Sequence, residues 1–130
     1  MKECKVLVID DNAAILAMLK LMLERNNYEV TIQDNTEELE KLLYTLSPDL
    51  LIMDVLLSGV DGRDICTEIR KNKDFATLPI VMISALQDAE KSCLAAGAQY
   101  FLGKPFEMAI FNLTVKTAIA TEHHYQEVGI

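Results

Sequence analysis

Five short runs of strand length, separated by segments with helical periodicity, constrain this chain more than any other feature. Four of them, Val6–Ile9, Leu50–Met53, Ile80–Ile83 and Tyr100–Leu102, are apolar, and each leads straight into residues able to do chemistry. The first ends at Asp10 and Asp11, the second at Asp54 and the third at Ser84. The fourth leads into Gly103, Lys104 and Pro105. In an open parallel sheet, ligands gather outside the carboxyl ends of the strands. Parallel pairing of these runs would bring three carboxylates, one hydroxyl and one ammonium to one pocket.

The strand–helix alternation repeats five times, without low-complexity segments, internal repeats or an interdomain linker. Lys5–Ile9 reads as a buried strand. Asn12 can cap a helix from Ala13 to about Arg25, with Ile15, Met18, Leu19 and Met22 as its inward stripe. Glu29–Gln33 alternates, as an edge strand does. Asn35 and Glu38 have capping-box-like spacing, and Leu39, Leu42, Leu43 and Leu46 follow at helical intervals. Ser47-Pro48 stops that helix, because the residue before proline leaves the α region. Leu50–Asp54 is apolar on both faces, as a central parallel strand should be. Val55–Asp61 reads as loop, and Asp61-Gly62 leads into a helix carrying Ile65 and Ile69. Pro79 opens the strand Ile80–Ser84. A short helix over Asp88–Ala96 ends at Gly97, and Gln99–Leu102 is the fifth strand. A last helix runs from about Glu107 to Thr121, with Met108, Phe111, Val115 and Ala118 inward, and the chain frays from Glu122. Five βα units with short connections fit a flavodoxin-like (βα)5 fold, a three-layer α/β/α sandwich with right-handed crossovers. Strand order 2-1-3-4-5 is favoured because it sets strands 1 and 3 side by side, and with them Asp10, Asp11 and Asp54. Residues 1–122 form one domain and 123–130 a tail.

At 130 residues with 51% hydrophobic content, the chain can bury a real core and is not disordered. No apolar stretch approaches the roughly 18–20 residues that a membrane span requires. Strand-like sequence begins within five residues of Met1, leaving no room for a signal peptide. Cys4, Cys66 and Cys93 are odd in number and lack metal-ligand spacing, so buried or semi-buried thiols of a reduced, cytoplasmic protein are expected. A net charge of −8 repels phosphodiester backbones, and no basic stripe interleaved with aromatics is present. Direct nucleic-acid binding is not expected.

Asp10 and Asp11 alone could simply start a helix, where acids suit the positive dipole end, and Asp54 alone could be a turn residue. Together they mean more. Three carboxylates within a few ångströms take up protons unless a cation neutralises them. Mg2+ suits them, as a hard ion that seeks oxygen ligands and keeps several waters. One carboxylate can then attack phosphorus to give an aspartyl phosphate, a transfer that mainly needs positioning and neutralised equatorial oxygens. Ser84 and Lys104 would supply that.

With these residues in place, the segment from about 3 to 121 resembles the receiver domain of two-component response regulators. The matching pieces are VLVIDDN at 6–12, LLIMD at 50–54, VDG at 60–62, PIVMISA at 79–85 and AGAQYFLGKPF at 96–106. The resemblance implies that Asp54 accepts a phosphoryl group from a sensor histidine kinase or phosphotransfer protein. Asp11, Asp54 and the Leu56 backbone carbonyl would bind Mg2+ directly, with Asp10 acting through water. Ser84 would be the switch hydroxyl, Lys104 the invariant lysine and Phe101 the switch aromatic, with Lys104-Pro105 a candidate cis peptide. Phe101 could equally be a plain core aromatic. The partner surface would be the last helix-strand-helix face, for a downstream effector, an output domain or a second copy of the chain.

The sequence departs from the family pattern four residues after Asp54, where Ser58 and then Gly59 replace the usual proline. A looser loop is expected. The family positions flanking the attacking water hold Leu56 and Leu86, which cannot hydrogen-bond to it, so a long-lived phosphorylated form is expected. A Mg2+-dependent phosphohydrolase with the same intermediate is the alternative, but it typically carries a second acid where this chain has Leu56. A degenerate receiver that only mediates contacts is disfavoured by the intact set of five residues. His123 and His124 are expected to be solvated tail residues.

Overall fold

The computed structural model describes residues 3–127, and side chains as far as residue 120. Its elements in chain order are β1 (Lys5–Ile9), α1 (Ala13–Arg25), β2 (Glu29–Gln33), α2 (Leu39–Leu46) and β3 (Leu50–Asp54). After α3 (Gly62–Lys71) come β4 (Ile80–Ser84), α4 (Glu90–Ala96), β5 (Tyr100–Gly103) and α5 (Met108–Glu127). The five strands pair in parallel in the order β2-β1-β3-β4-β5, the flavodoxin-like arrangement. Residues of β3 and β4 are buried throughout because both faces of the sheet are covered. The edge strand β2 is only half-buried.

Alternation along the strands sorts the core into two layers. Val6, Val8, Leu50, Ile52, Val81 and Ile83 pack with Leu19 and Leu23 of α1 and with Phe111 and Val115 of α5. Leu7, Ile9, Leu51, Met53, Ile80 and Met82 face the other way, onto α2, α3 and α4. On β5, Tyr100 and Leu102 belong to the first layer and Phe101 to the second.

Several helical details differ from the pattern expected of the sequence. In α1 the buried side is Leu16, Leu19, Met22 and Leu23, and Met18 is 44% exposed. Ile15 is partly buried against the same core layer. Asn12 does cap α1, accepting the Ala14 and Ile15 N–H groups. The Asn35/Glu38 box does not form: α2 begins at Leu39 without a side-chain cap, and Asn35 Oδ1 accepts the Glu37 N–H in a local turn. Ser47 ends α2 in the left-handed region, with φ 47°. Asp88 also has positive φ, 61°, so α4 begins two residues later than expected. Met108 is 56% exposed and lies off the α5 stripe of Phe111, Val115 and Ala118. The α5 backbone continues to Glu127, six residues past the expected end at Thr121 and through the stretch expected to fray. The imidazoles of His123 and His124 lie outside the described side chains.

The stretch after β3 is more ordered than a loop. Leu56–Leu57 pairs antiparallel with Val60–Asp61, and Gly59 makes the turn with φ 73°. Asp61 then caps α3 by accepting the Arg63 N–H at 2.8 Å, and its carboxylate pairs with the Arg63 guanidinium. Gly62 allows α3 to press against β3: a Cβ there would collide with the Asp54 carbonyl. Cys66 and Cys93 are buried thiols whose pKa values are pushed up by burial, and Cys4 is half-buried.

Candidate functional site

Asp10, Asp54 and Ser84 are the buried polar side chains among the described residues, and all three lie at the carboxyl ends of adjacent strands. An interior spends polar burial where it has a partner or a task. Asp10 follows β1, Asp54 closes β3 and Ser84 closes β4, so the 1-3-4 adjacency brings them together. One carboxylate oxygen from each of Asp10, Asp11 and Asp54 lies within 4.8 Å of the others.

Asp10 has no exposed surface, and both its oxygens are bound. Oδ1 accepts the Asn12 N–H at 2.9 Å, and Oδ2 accepts from Lys104 Nζ at 3.0 Å. The same ammonium lies 3.4 Å from Asp54 Oδ2. Asp11 is exposed at the rim, and its Oδ2 accepts the Ser58 hydroxyl at 3.1 Å. Ser84 Oγ accepts the Leu86 N–H at 2.9 Å. Burial pushes the Asp54 carboxyl above the usual carboxylate range, and Asp10 adds to the rise while Lys104 opposes it.

Asp10, Asp11, Asp54 and Lys104 therefore meet in space, with Ser84 at the end of the adjacent strand β4. Lys104-Pro105 is a cis peptide. Phe101 is half-buried on the α4 side of the sheet, whereas Tyr100 lies on the opposite side. Leu56 and Leu86 stand at the rim, 50% and 38% exposed. Ser58 was expected only to loosen its loop; instead the segment is paired and Ser58 is tethered to Asp11. Gly62 also matters more than its sequence context suggests, since the position of the Asp54 carbonyl depends on it. The VDG motif was the available signal for that close approach.

Another cleft, of about 410 Å3, lies between Leu43, Ser47, Phe75 and Pro79, at the amino ends of the strands. Its acids are engaged structurally: Asp49 accepts the Lys5 N–H and Asp74 accepts the Tyr44 hydroxyl. The chemistry is not there.

The response regulator receiver domain model matches residues 6–116. The chain belongs to the response regulator receiver family. Among curated relatives, it is 34% identical over 117 residues to the alkaline phosphatase synthesis transcriptional regulatory protein PhoP of Bacillus subtilis (strain 168). That match covers 88% of this chain and 48% of PhoP, so the chain spans about half the length of the curated relatives it matches. A crystal structure assigned to a response regulator of Chloroflexus aurantiacus J-10-fl superposes with TM-score 0.86 at 36% identity, covering 92% of this chain and 99% of that one. The beryllofluoride-activated NtrC4 receiver domain dimer superposes with TM-score 0.82 at 28% identity, covering 90% and 97%. A receiver is a regulatory domain, and no enzyme family is indicated; the phosphohydrolase alternative is not favoured. No helix among the described residues is long and apolar enough to cross a membrane.

Proposed function

We propose that this receiver takes a phosphoryl group onto Asp54 from a phosphorylated histidine of a sensor kinase or phosphotransfer protein, and that the phosphorylated state changes which partner it engages. One observation carries the proposal: a buried Asp54 with two further carboxylates and the Lys104 ammonium around it. An Asp54 oxygen forms the new O–P bond while the donor P–N bond breaks and its electron pair returns to the imidazole nitrogen. Lys104 neutralises one phosphoryl oxygen and the Ser84 hydroxyl bonds another.

The donor set fits Mg2+: the group is all oxygen, carries three carboxylates, and includes one whose charged form is already disfavoured. Asp11, Asp54 and the Leu56 carbonyl are the residues that would hold it directly, with Asp10 acting through water. When bound, Mg2+ supplies positive charge against the phosphoryl oxygens. Turnover is confined to the domain's own acyl phosphate.

The proposed read-out runs through Ser84 and Phe101 to the face formed by α4, β5 and α5. The activated NtrC4 receiver, similar in fold and 28% identical, is a dimer, which supports assembly as one outcome for this chain. The effector is an output domain or a separate protein, because the matched curated relatives are transcriptional regulators about twice the length of this chain. The acidic receiver unit, residues 1–122, leaves DNA contact to such a partner.

Incubation with acetyl phosphate or phosphoramidate and Mg2+ should add one phosphoryl group, labile to alkali as an acyl phosphate. Asp54→Asn should abolish it, and EDTA should suppress it. A persistent modification in Asp54→Asn, or none in the wild type with Mg2+, overturns the proposal.

A further inference from the structure

Two of the helices that leave the carboxyl ends of the strands start on a capping Asn or Asp. Asn12 lies at φ −96°; its side chain accepts the Ala14 and Ile15 N–H groups and its carbonyl the Leu16 N–H. Asp61 lies at φ −94° and accepts the Arg63 N–H. Asp88 occupies the matching place ahead of α4, but φ 61° turns it into the left-handed region. Its carboxylate accepts no hydrogen bond among the described residues, and α4 begins without a side-chain cap.

That one residue separates α4 from a capped start. Ala89 already has helical dihedrals, φ −84° and ψ −14°, and its carbonyl accepts the Cys93 N–H at 3.0 Å. With Asp88 extended as Asn12 is, its carboxylate would meet the Glu90 and Lys91 N–H groups, and its carbonyl the Ser92 N–H. The first turn of α4 is pinned from α3: Ser92 Oγ accepts from the Arg63 guanidinium at 3.1 Å and donates to the Ala89 carbonyl at 3.0 Å. The connection ahead of the helix can therefore change while the helix start stays in place. Outside glycine, Asp and Asn enter the left-handed region most readily, so the two positions of Asp88 are close in free energy.

The connection begins at Ser84, whose Oγ accepts the Leu86 N–H at 2.9 Å. A hydroxyl can accept one hydrogen bond and donate its own proton at the same time. Drawn toward a phosphoryl oxygen on Asp54, it would carry Leu86 with it, and Leu86 stands two residues before Asp88. We propose that Asp88 has two positions: left-handed in the arrangement seen here, and N-cap of a longer α4 once Ser84 is drawn to a phosphoryl group. The inference rests on the proposed phosphorylation of Asp54 and names the residue at which its effect first reaches α4.

The test is amide hydrogen exchange by NMR on the full chain with Mg2+, with and without beryllium trifluoride, for wild type, Asp88→Ser and Asp88→Gly. Serine caps well and avoids the left-handed region, whereas glycine enters it freely and has no side chain to cap with. In the wild type the mimic should slow exchange of the Glu90, Lys91 and Ser92 amides about fivefold, the worth of a typical N-cap. Asp88→Ser should show the slow exchange without the mimic, and Asp88→Gly should keep fast exchange with the mimic bound. Equal exchange at these amides in Asp88→Ser and Asp88→Gly overturns the cap. If the mimic shifts the Asp54 and Ser84 amides of the wild type but leaves residues 90–92 exchanging as before, Asp88 is not the relay and the phosphorylation reading stands. An Asp54 amide that does not respond to the mimic overturns that reading, and the Asp88 proposal with it.

Discussion

The Lys104 backbone N–H donates to the Ser84 carbonyl at 2.7 Å. The bond continues the β4–β5 ladder one step beyond the register pair Ser84 and Gly103. The two residues whose hydroxyl and ammonium are proposed to meet the phosphoryl group are thus joined directly through backbone. The lysine side chain rests between Asp10 and Asp54.

Asp54 should make stability depend on pH in a particular direction. Its folded-state pKa is raised, chiefly by burial, so the folded protein holds this proton more tightly than the unfolded chain. The resulting stabilisation is present below the unfolded value of 3.8 and is lost as pH rises through the raised folded value. At neutral pH the ionised carboxylate is therefore a burden. Asp54→Asn, in chelator, should raise Tm at pH 7.5. The gain should shrink on acidification. Thermal unfolding followed by circular dichroism at several pH values checks both, and an unchanged or lowered Tm at pH 7.5 contradicts the expectation.

Gly62→Ala should be costly, because the added Cβ meets the Asp54 carbonyl and lies 3.0 Å from Met82 Cε and 3.1 Å from Val55 Cα. Overpacking of this kind costs about 1–3 kcal/mol. Urea denaturation should show that loss, and the displaced end of β3 should slow phosphoryl incorporation in the fraction that stays folded. A variant with wild-type stability would mean that α3 can slide away freely.

The lifetime of the phosphorylated form should be set partly by Leu56 and Leu86. Neither side chain can orient water for in-line attack, and positioning of that water accounts for large rate factors. Decay of the phosphorylated protein with Mg2+ should be several-fold slower in the wild type than in the Leu56→Asn/Leu86→Glu double variant. Equal decay would show that water reaches the bond regardless of both leucines.

Switching should extend beyond the pocket. A phosphoryl group adds about −1.5 to −2 charge, and it shifts the equilibrium only through its differential affinity for the two arrangements. With a beryllium trifluoride mimic, amide chemical shifts should change along residues 84–106, including Phe101. Changes confined to residues touching the pocket would describe a receiver that does not switch.

The sheet and its acids were legible in the sequence because buried parallel strands read as unbroken apolar runs, and the ends of those runs are marked by Asp10, Asp54 and Ser84. Strand order became legible only through those acids, since periodicity carries no information about neighbours. Helix faces were less legible. Met18 and Met108 fit a helical stripe by spacing, yet lie exposed, because helix rotation is set by packing against the sheet. The local turn at Asn35 defeated the capping expectation, since an Asx turn and a capping box draw on the same residue types. The Ser58–Asp11 contact was illegible because it joins two connections that only the closed sheet brings together.

Burial of β3 and β4 on both faces has a consequence for how the chain finds its pairing. A strand apolar on both sides gains nearly as much from a one-residue slip as from the correct alignment, so the apolar pattern is a weak ruler. The polar residues at the strand ends measure more finely. A slip would carry Asp54 or Ser84 about 3.3 Å along its strand and turn it to the other face, stranding a buried carboxylate away from Lys104 or taking the Ser84 hydroxyl to the wrong face of the sheet. The groups proposed to serve phosphoryl chemistry thus also act as the alignment marks of the sheet, and a chain that has lost them should lose its pairing precision before it loses its core.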